Sequence, residues 1–127
     1  MRYLAAIYTE DSAGDAAATE EGRRMLATYE EFGRKAAGVI AGGEGLQPAA
    51  TATTVRVRDG EVILTDGPFA ETREQLGGFY LFDCESLDEA LRWAAQIPGA
   101  QHGAVEVRPC VVFDRAGAAA GNEAAQA

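Results

Sequence analysis

The chain has 127 residues, is 47% apolar and carries a net charge of −9. That length suits one domain burying roughly two-thirds of its unfolded surface, and the apolar content excludes wholesale disorder. Twenty acids interspersed with eleven Lys and Arg leave no basic stripe for nucleic acid, and no apolar run approaches the ~20 residues of a membrane span.

The opening MRYLAAIYTED meets acids too soon for a secretory signal core, so a soluble, cytoplasmic protein is expected. Residues 2–8, RYLAAIY, read as a first strand. A polar, small-residue connection then leads into a helix from Thr19 to Ala37, where Met25, Tyr29, Phe32 and Ala36 recur at helical intervals. Glu20 and Glu21 suit its N-terminus and Gly38 its C-terminal stop. VIAGGEGL, residues 39–46, is β-branched at its start and glycine-rich after it, the pattern of a bent or bulged strand.

TATTVRVR (51–58) and EVILTD (61–66) flank Asp59-Gly60, the strongest short hairpin signal in the chain. GFYLFDC (78–84) is a further strand. Ser86-Leu87-Asp88-Glu89 forms a capping box, and the helix behind it aligns Leu87, Ala90, Leu91, Ala94 and Ile97 until Pro98-Gly99 ends it. A last strand, AVEVRPCVVF (104–113), contains Pro109 and so belongs at an edge or a bulge. The organisation is therefore one domain, residues 1–113, and an Ala/Gly-rich tail, residues 114–127.

Strand–helix–strands followed by strand–helix–strand describes an α+β sheet with two helices on one face. The central strands do not alternate apolar with polar. In GFYLFDC both faces carry large apolar groups, and RYLAAIY behaves alike. The face away from the helices needs its own cover. An identical sheet supplies it economically, so a homodimer is expected.

GEGLQPAATATTVRVRDG, TDGPFAETREQLGGFYLFD, SLDEALRWAAQIP and VEVRP together resemble the YciI-related family in its DGPF subgroup, from Met1 to about Val112. The resemblance implies a ferredoxin-like fold assembled as a dimeric α/β barrel. It also implies association with extracytoplasmic-function sigma factor systems, beside which many members are encoded. The related YciI branch is linked to a His–Asp pair and includes a dehydrochlorinase of a chlorinated hydroxyquinol. Its histidine belongs near the start of the first helix, where this chain reads TEEGRRML.

Asp66 is the candidate catalytic residue. An apolar wall formed by Phe69 would favour its protonated form and suit a general acid or base. Alternatively, its carboxylate accepts backbone N–H groups in the turn that Gly67-Pro68 makes rigid. Glu71 belongs at a pocket rim or in a solvated loop, and Glu44, among glycines, either lines a cleft with Asp66 or sits on a bulge. In AVEVRP, Val105 and Val107 should face the helices, sending Glu106 and Arg108 to the other side. There they form an ion pair, or Arg108 anchors an anionic ligand. Tyr8 and Tyr80 should project from neighbouring central strands as core, interface or ligand walls.

No cofactor and no metal site is expected, since His102 and the separated Cys84 and Cys110 have no ligand spacing. The thiols should be free. Two functions are consistent with these residues. One is a small-molecule-binding or regulatory protein without turnover, tied to a sigma-factor system. The other is an enzyme acting by Asp66-mediated proton transfer on a small cyclic substrate, phenolic or lactone. It would use Phe69 and Tyr80 as walls and Arg108 as anion anchor.

Overall fold

The structure, a computed structural model, describes residues 1–10, 18–113 and, for the backbone, 119–120. In chain order the elements are β1 (Arg2–Glu10), α1 (Glu20–Lys35), β2 (Ile40–Gly45), β3 (Thr53–Arg58), β4 (Glu61–Asp66), β5 (Glu74–Asp83), α2 (Leu87–Ala94), β6 (Ala104–Pro109), β7 (Val112–Phe113) and β8 (Ala119–Ala120). Among the described residues, four strands form one antiparallel sheet in the order β2-β5-β1-β6, while β3 pairs only with β4 and β7 only with β8. Two strand–helix–strand units interleaved in this order, with both helices on one face, make the α+β, ferredoxin-like fold.

Tyr3, Ala5 and Ile7 of β1 point toward the helices and are buried, as the two-residue strand period requires. Opposite them on β5 stand Phe82, Tyr80 and Gly78, and on β6 Pro109, Val107 and Val105. α1 closes this layer. Thr19 caps it, accepting from the Gly22 N–H at 2.9 Å, with acids in the first turn and Arg34 and Lys35 in the last. The helix ends at Lys35, two residues short of the expected Ala37: Ala36 leaves helical geometry at φ −94° and ψ 7°, and the Val39 and Ile40 N–H groups turn back onto its carbonyl. Phe32 meets Tyr80, Phe82 and Trp93 at ring-centroid distances of 5.2, 6.3 and 6.5 Å. Phe82 and Ile97 are the largest fully buried side chains.

β2 carries the expected irregularity, a register shift between Ile40 and Gly42. β5 begins at Glu74, earlier than its glycines suggested, because Gln75 and Leu76 continue to pair with Thr9 and Tyr8 beyond a shift in β1. Asp59 and Gly60 adopt φ of 50° and 79°, the left-handed pair of a type I′ turn.

The second helix departs from its expected face. Leu87 and Leu91 are exposed, whereas Ala90 and Ala94 are buried beside half-buried Trp93. The helix is only two turns long, and Ile97 reaches the core from beyond it, just ahead of a 3-10 turn at Pro98–Gln101. Two alanines let the helix lie close to the sheet, which centres contact one position away from the leucines. The capping box is half formed: Ser86 Oγ accepts from the Glu89 N–H at 3.2 Å, but the Glu89 carboxylate takes the Glu85 N–H instead.

The expected strand over 104–113 is two strands, with Pro109 on the edge strand as expected and the Cys110 N–H still donating to the Arg2 carbonyl at 2.9 Å. Both cysteines are free thiols. The tail expected over 114–127 lies outside the described residues except at Ala119–Ala120, which pairs with Val112–Phe113. The sheet face opposite the helices presents Leu4, Phe79 and Leu81, all half-buried, with Leu76 exposed at its end. Among the described residues, no helix is long and apolar enough to cross a membrane.

Candidate functional site

A partly enclosed concavity opens between α1 and the β2–β5 edge. It has a volume of about 450 Å³ and is walled by Ile7, Leu26, Tyr29 and Tyr80 over a floor of Gly43, Gly45, Gly77 and Gly78, with Glu44 at its border. The floor is bare backbone for a steric reason. A Cβ on Gly43 would lie 2.5 Å from the Phe79 carbonyl oxygen, and one on Gly78 2.9 Å from that of Glu44. Close approach of β2 to β5 therefore depends on glycine, and it leaves a space where side chains would otherwise stand.

Two phenols are among the polar groups of this cleft, with Thr9 and Glu44. The Tyr29 hydroxyl accepts from the buried Gly99 N–H at 3.1 Å, so its own proton remains available to an acceptor. Burial raises the Tyr29 pKa above the usual phenol value, partly offset by the Gly99 contact. Burial also raises that of Tyr80, with a further contribution from the neighbouring Tyr29. At neutral pH both are uncharged hydroxyls beside an aromatic wall, since Tyr80 stacks on Phe82 with centroids 5.8 Å apart.

Asp66 lies elsewhere, at the end of β4. With Glu71, Thr72, Gln75 and Pro68 it borders a more open cleft of about 430 Å³. The DGPF turn is tied down by its backbone: the Gly67 N–H donates to the Ala52 carbonyl at 2.8 Å, and Thr54 Oγ1 donates to the Gly67 carbonyl at 2.9 Å. Gly67 has φ of 101°, a left-handed conformation that favours glycine. Phe69 is 78% exposed and stands apart from that cleft, with the Arg56 guanidinium 5.3 Å from its ring centroid.

Arg108 pairs with Glu106 at 2.5 Å on edge strand β6, on the sheet face away from the helices that also carries Leu4, and the contact raises the guanidinium pKa. Val105 and Val107, on the helix side, pack against the core, which is the alternation expected of AVEVRP. Glu106 also borders a wide groove of about 800 Å³ with Tyr8, Arg73 and Glu10, where Arg73 Nε lies 2.7 Å from Glu10. His102 is exposed at the end of the 3-10 turn. Among the described residues, no three His, Cys, Asp or Glu are grouped to hold a metal ion.

The structure thus brings Asp66 together with Glu71, and Tyr80 together with Glu44. Phe69 and Arg108 stand apart from both pairs. Tyr29 was missed as a site residue because its helical spacing marks it equally as core. Its signal is visible only when the glycines of 42–45 and 77–78 are seen to face each other across a strand pair.

Fold and cleft define a small α+β domain with an apolar pocket on its helix side. The chain belongs to the YCII-related domain family, whose model matches residues 1–114. It is 42% identical over 117 residues to an uncharacterized protein of Rhizobium meliloti (strain 1021), covering 89% of this chain and 94% of that one. Among solved structures it is similar to the 5-chloro-2-hydroxyhydroquinone dehydrochlorinase of Burkholderia phenoliruptrix AC1100 in complex with 2,5-dihydroxybenzoquinone. That match has a TM-score of 0.48 and 16% identity, covering 91% of this chain and 98% of the other.

Proposed function

We propose that this protein binds a small organic molecule in the cleft between α1 and the β2–β5 edge, and that it does so as a homodimer. The observation that carries the reading is the cleft itself: about 450 Å³, mostly apolar, with two half-buried phenols among its few polar groups. That volume lies within the range of ligand pockets, which are apolar with a few placed polar groups. Tyr29 and Tyr80, held neutral by burial, offer hydrogen bonds to a neutral or anionic oxygen without the desolvation cost of a buried charge. The homodimer is supported by the apolar character of Leu4, Phe79 and Leu81 on the sheet face that this chain's helices leave uncovered. A regulatory role in a sigma-factor system follows from the family resemblance, and co-purification with such a factor tests it separately.

A second reading is proton transfer by Asp66. It is favoured by one observation, the sharing of a cleft by the Asp66 and Glu71 carboxylates, since paired acids can divide the roles of proton donor and acceptor.

One experiment separates the two. A library of small aromatic and alicyclic molecules is screened against the uniformly labelled protein by amide chemical shifts. The first reading expects shifts at Tyr29, Gly43–Gly45 and Tyr80, abolished by Leu26→Trp, which fills the cleft. Shifts confined to Asp66–Gln75 would overturn it in favour of the second.

A further inference from the structure

We infer that the β3–β4 hairpin is an exchange arm whose aliphatic face packs onto a second copy of this chain. The inference rests on the homodimer proposed above but is independent of where a ligand binds.

The hairpin is amphipathic in the reverse of the usual sense. Residues directly opposite in an antiparallel pair share a face. Val55 opposes Leu64, and Val57 opposes Val62, so these four form one continuous aliphatic surface. They are 60%, 66%, 57% and 65% exposed, respectively. The other face carries Thr54, Arg56 and Arg58 opposite Thr65, Ile63 and Glu61. This polar face is the one turned to the chain's own DGPF loop, since Arg56 lies over Phe69 and Thr54 bonds to Gly67. A hairpin serving its own core would place these faces the other way round.

Among the described residues, β3 and β4 pair only with each other, and an isolated two-stranded ribbon is marginal in water. Two open edges lined by β-branched residues also invite uncontrolled pairing unless they are covered.

Area and charge select a second copy as the cover. Four aliphatic side chains at this exposure present on the order of 400 Å², a size at which apolar patches mark interaction sites. Two such arms, related by a twofold axis and added to two open sheet faces, reach the ~1,200–2,000 Å² of a stable interface. A closed twofold arrangement covers both arms at once and leaves nothing to propagate. The aliphatic face bears a single charge, Asp66, opposite Thr53 at its base. A chain of net charge −9 therefore meets itself there with little like-charge repulsion.

The test uses the full chain. Sedimentation equilibrium gives the association state. A 1:1 mixture of methyl-labelled (Val and Leu) and unlabelled protein, refolded together, then gives NOEs that cross between protomers only. The expected result is a dimer in which methyls of Val55, Val57, Val62 and Leu64 receive such NOEs. Val57→Lys/Leu64→Lys should then weaken association by roughly 100-fold or more, with an unchanged near-ultraviolet spectrum, because neither residue is in the core. A dimer with crossing NOEs at Leu4 and Leu81 but none at the hairpin overturns the arm and leaves the sheet-covered homodimer standing. A monomer at all concentrations overturns both, and the hairpin's occupant would then be another protein.

Discussion

Replacing Tyr29 by Phe removes one oxygen and keeps the ring that packs beside the core. That oxygen accepts the Gly99 N–H at 3.1 Å, and Gly99 is buried. The Gly99 side of that contact is tightly enclosed, since a Cβ on Gly99 would lie 2.8 Å from Ile7 Cγ2. The variant therefore leaves a buried donor unsatisfied, at a cost of about 1–3 kcal/mol, or roughly 5 °C in Tm for each kcal/mol. A second signature distinguishes this from generic loosening. Burial raises the Tyr29 pKa in the folded state, while the unfolded chain titrates near the ordinary value of ~10. The stability that the protonated phenol contributes is fully present below ~10 and is lost as pH rises through the folded value. Urea denaturation across the alkaline range, with phenolate absorbance followed in parallel, reads both effects. Tyr29→Phe should lower the neutral-pH stability and flatten the alkaline decline. An unchanged urea midpoint together with an unchanged alkaline limb would refute the argument that this hydroxyl is buried against Gly99.

Other variants probe separate links. Phe82→Ala should cost about 3–5 kcal/mol, read by urea unfolding, because Phe82 is fully buried and stacked on Tyr80. Gly78→Ala places a methyl 2.9 Å from the Glu44 carbonyl oxygen and 3.3 Å from Gly45 Cα. It should push β2 from β5, cost about 1–3 kcal/mol, and speed amide exchange along β2 before the rest of the sheet. Gly60→Val at φ of 79° should destabilise the turn by ~1–2 kcal/mol. That loss should appear as faster exchange in β3 and β4, while the melting of the four-stranded sheet is unchanged.

Where local chemistry decides, the sequence was sufficient. Ser86 marked a helix start, Asp59-Gly60 marked the hairpin, and the glycines after Ile40 marked an irregular strand, each through a backbone requirement that few residues meet. The face of the second helix was not readable, because periodicity cannot say that Ala90 and Ala94 bring the helix close enough to leave Leu87 and Leu91 outside. Site geometry was less readable still. Asp66, Glu71, Phe69 and Arg108 are recognisable as chemistry-bearing residues, but their separation depends on how the hairpin leaves the sheet. That is a tertiary property. Tyr29 shows the same limit from the other side, since an i, i+3, i+7 pattern cannot distinguish a ring filling the core from one that walls a cleft.

The hydrogen bond from the Leu46 N–H to the Gly77 carbonyl, 2.9 Å, has a consequence for how such a chain can change. It clasps the end of β2 to β5 just inside Glu74, where the segment bearing the hairpin rejoins the sheet. The segment between Leu46 and Glu74 can be lengthened, shortened or exchanged at the small entropic cost of a different loop, while the ladder of β2 on β5 stays in register. The hairpin is thus a detachable module and the cleft a part of the permanent frame, so that the two are free to diverge separately.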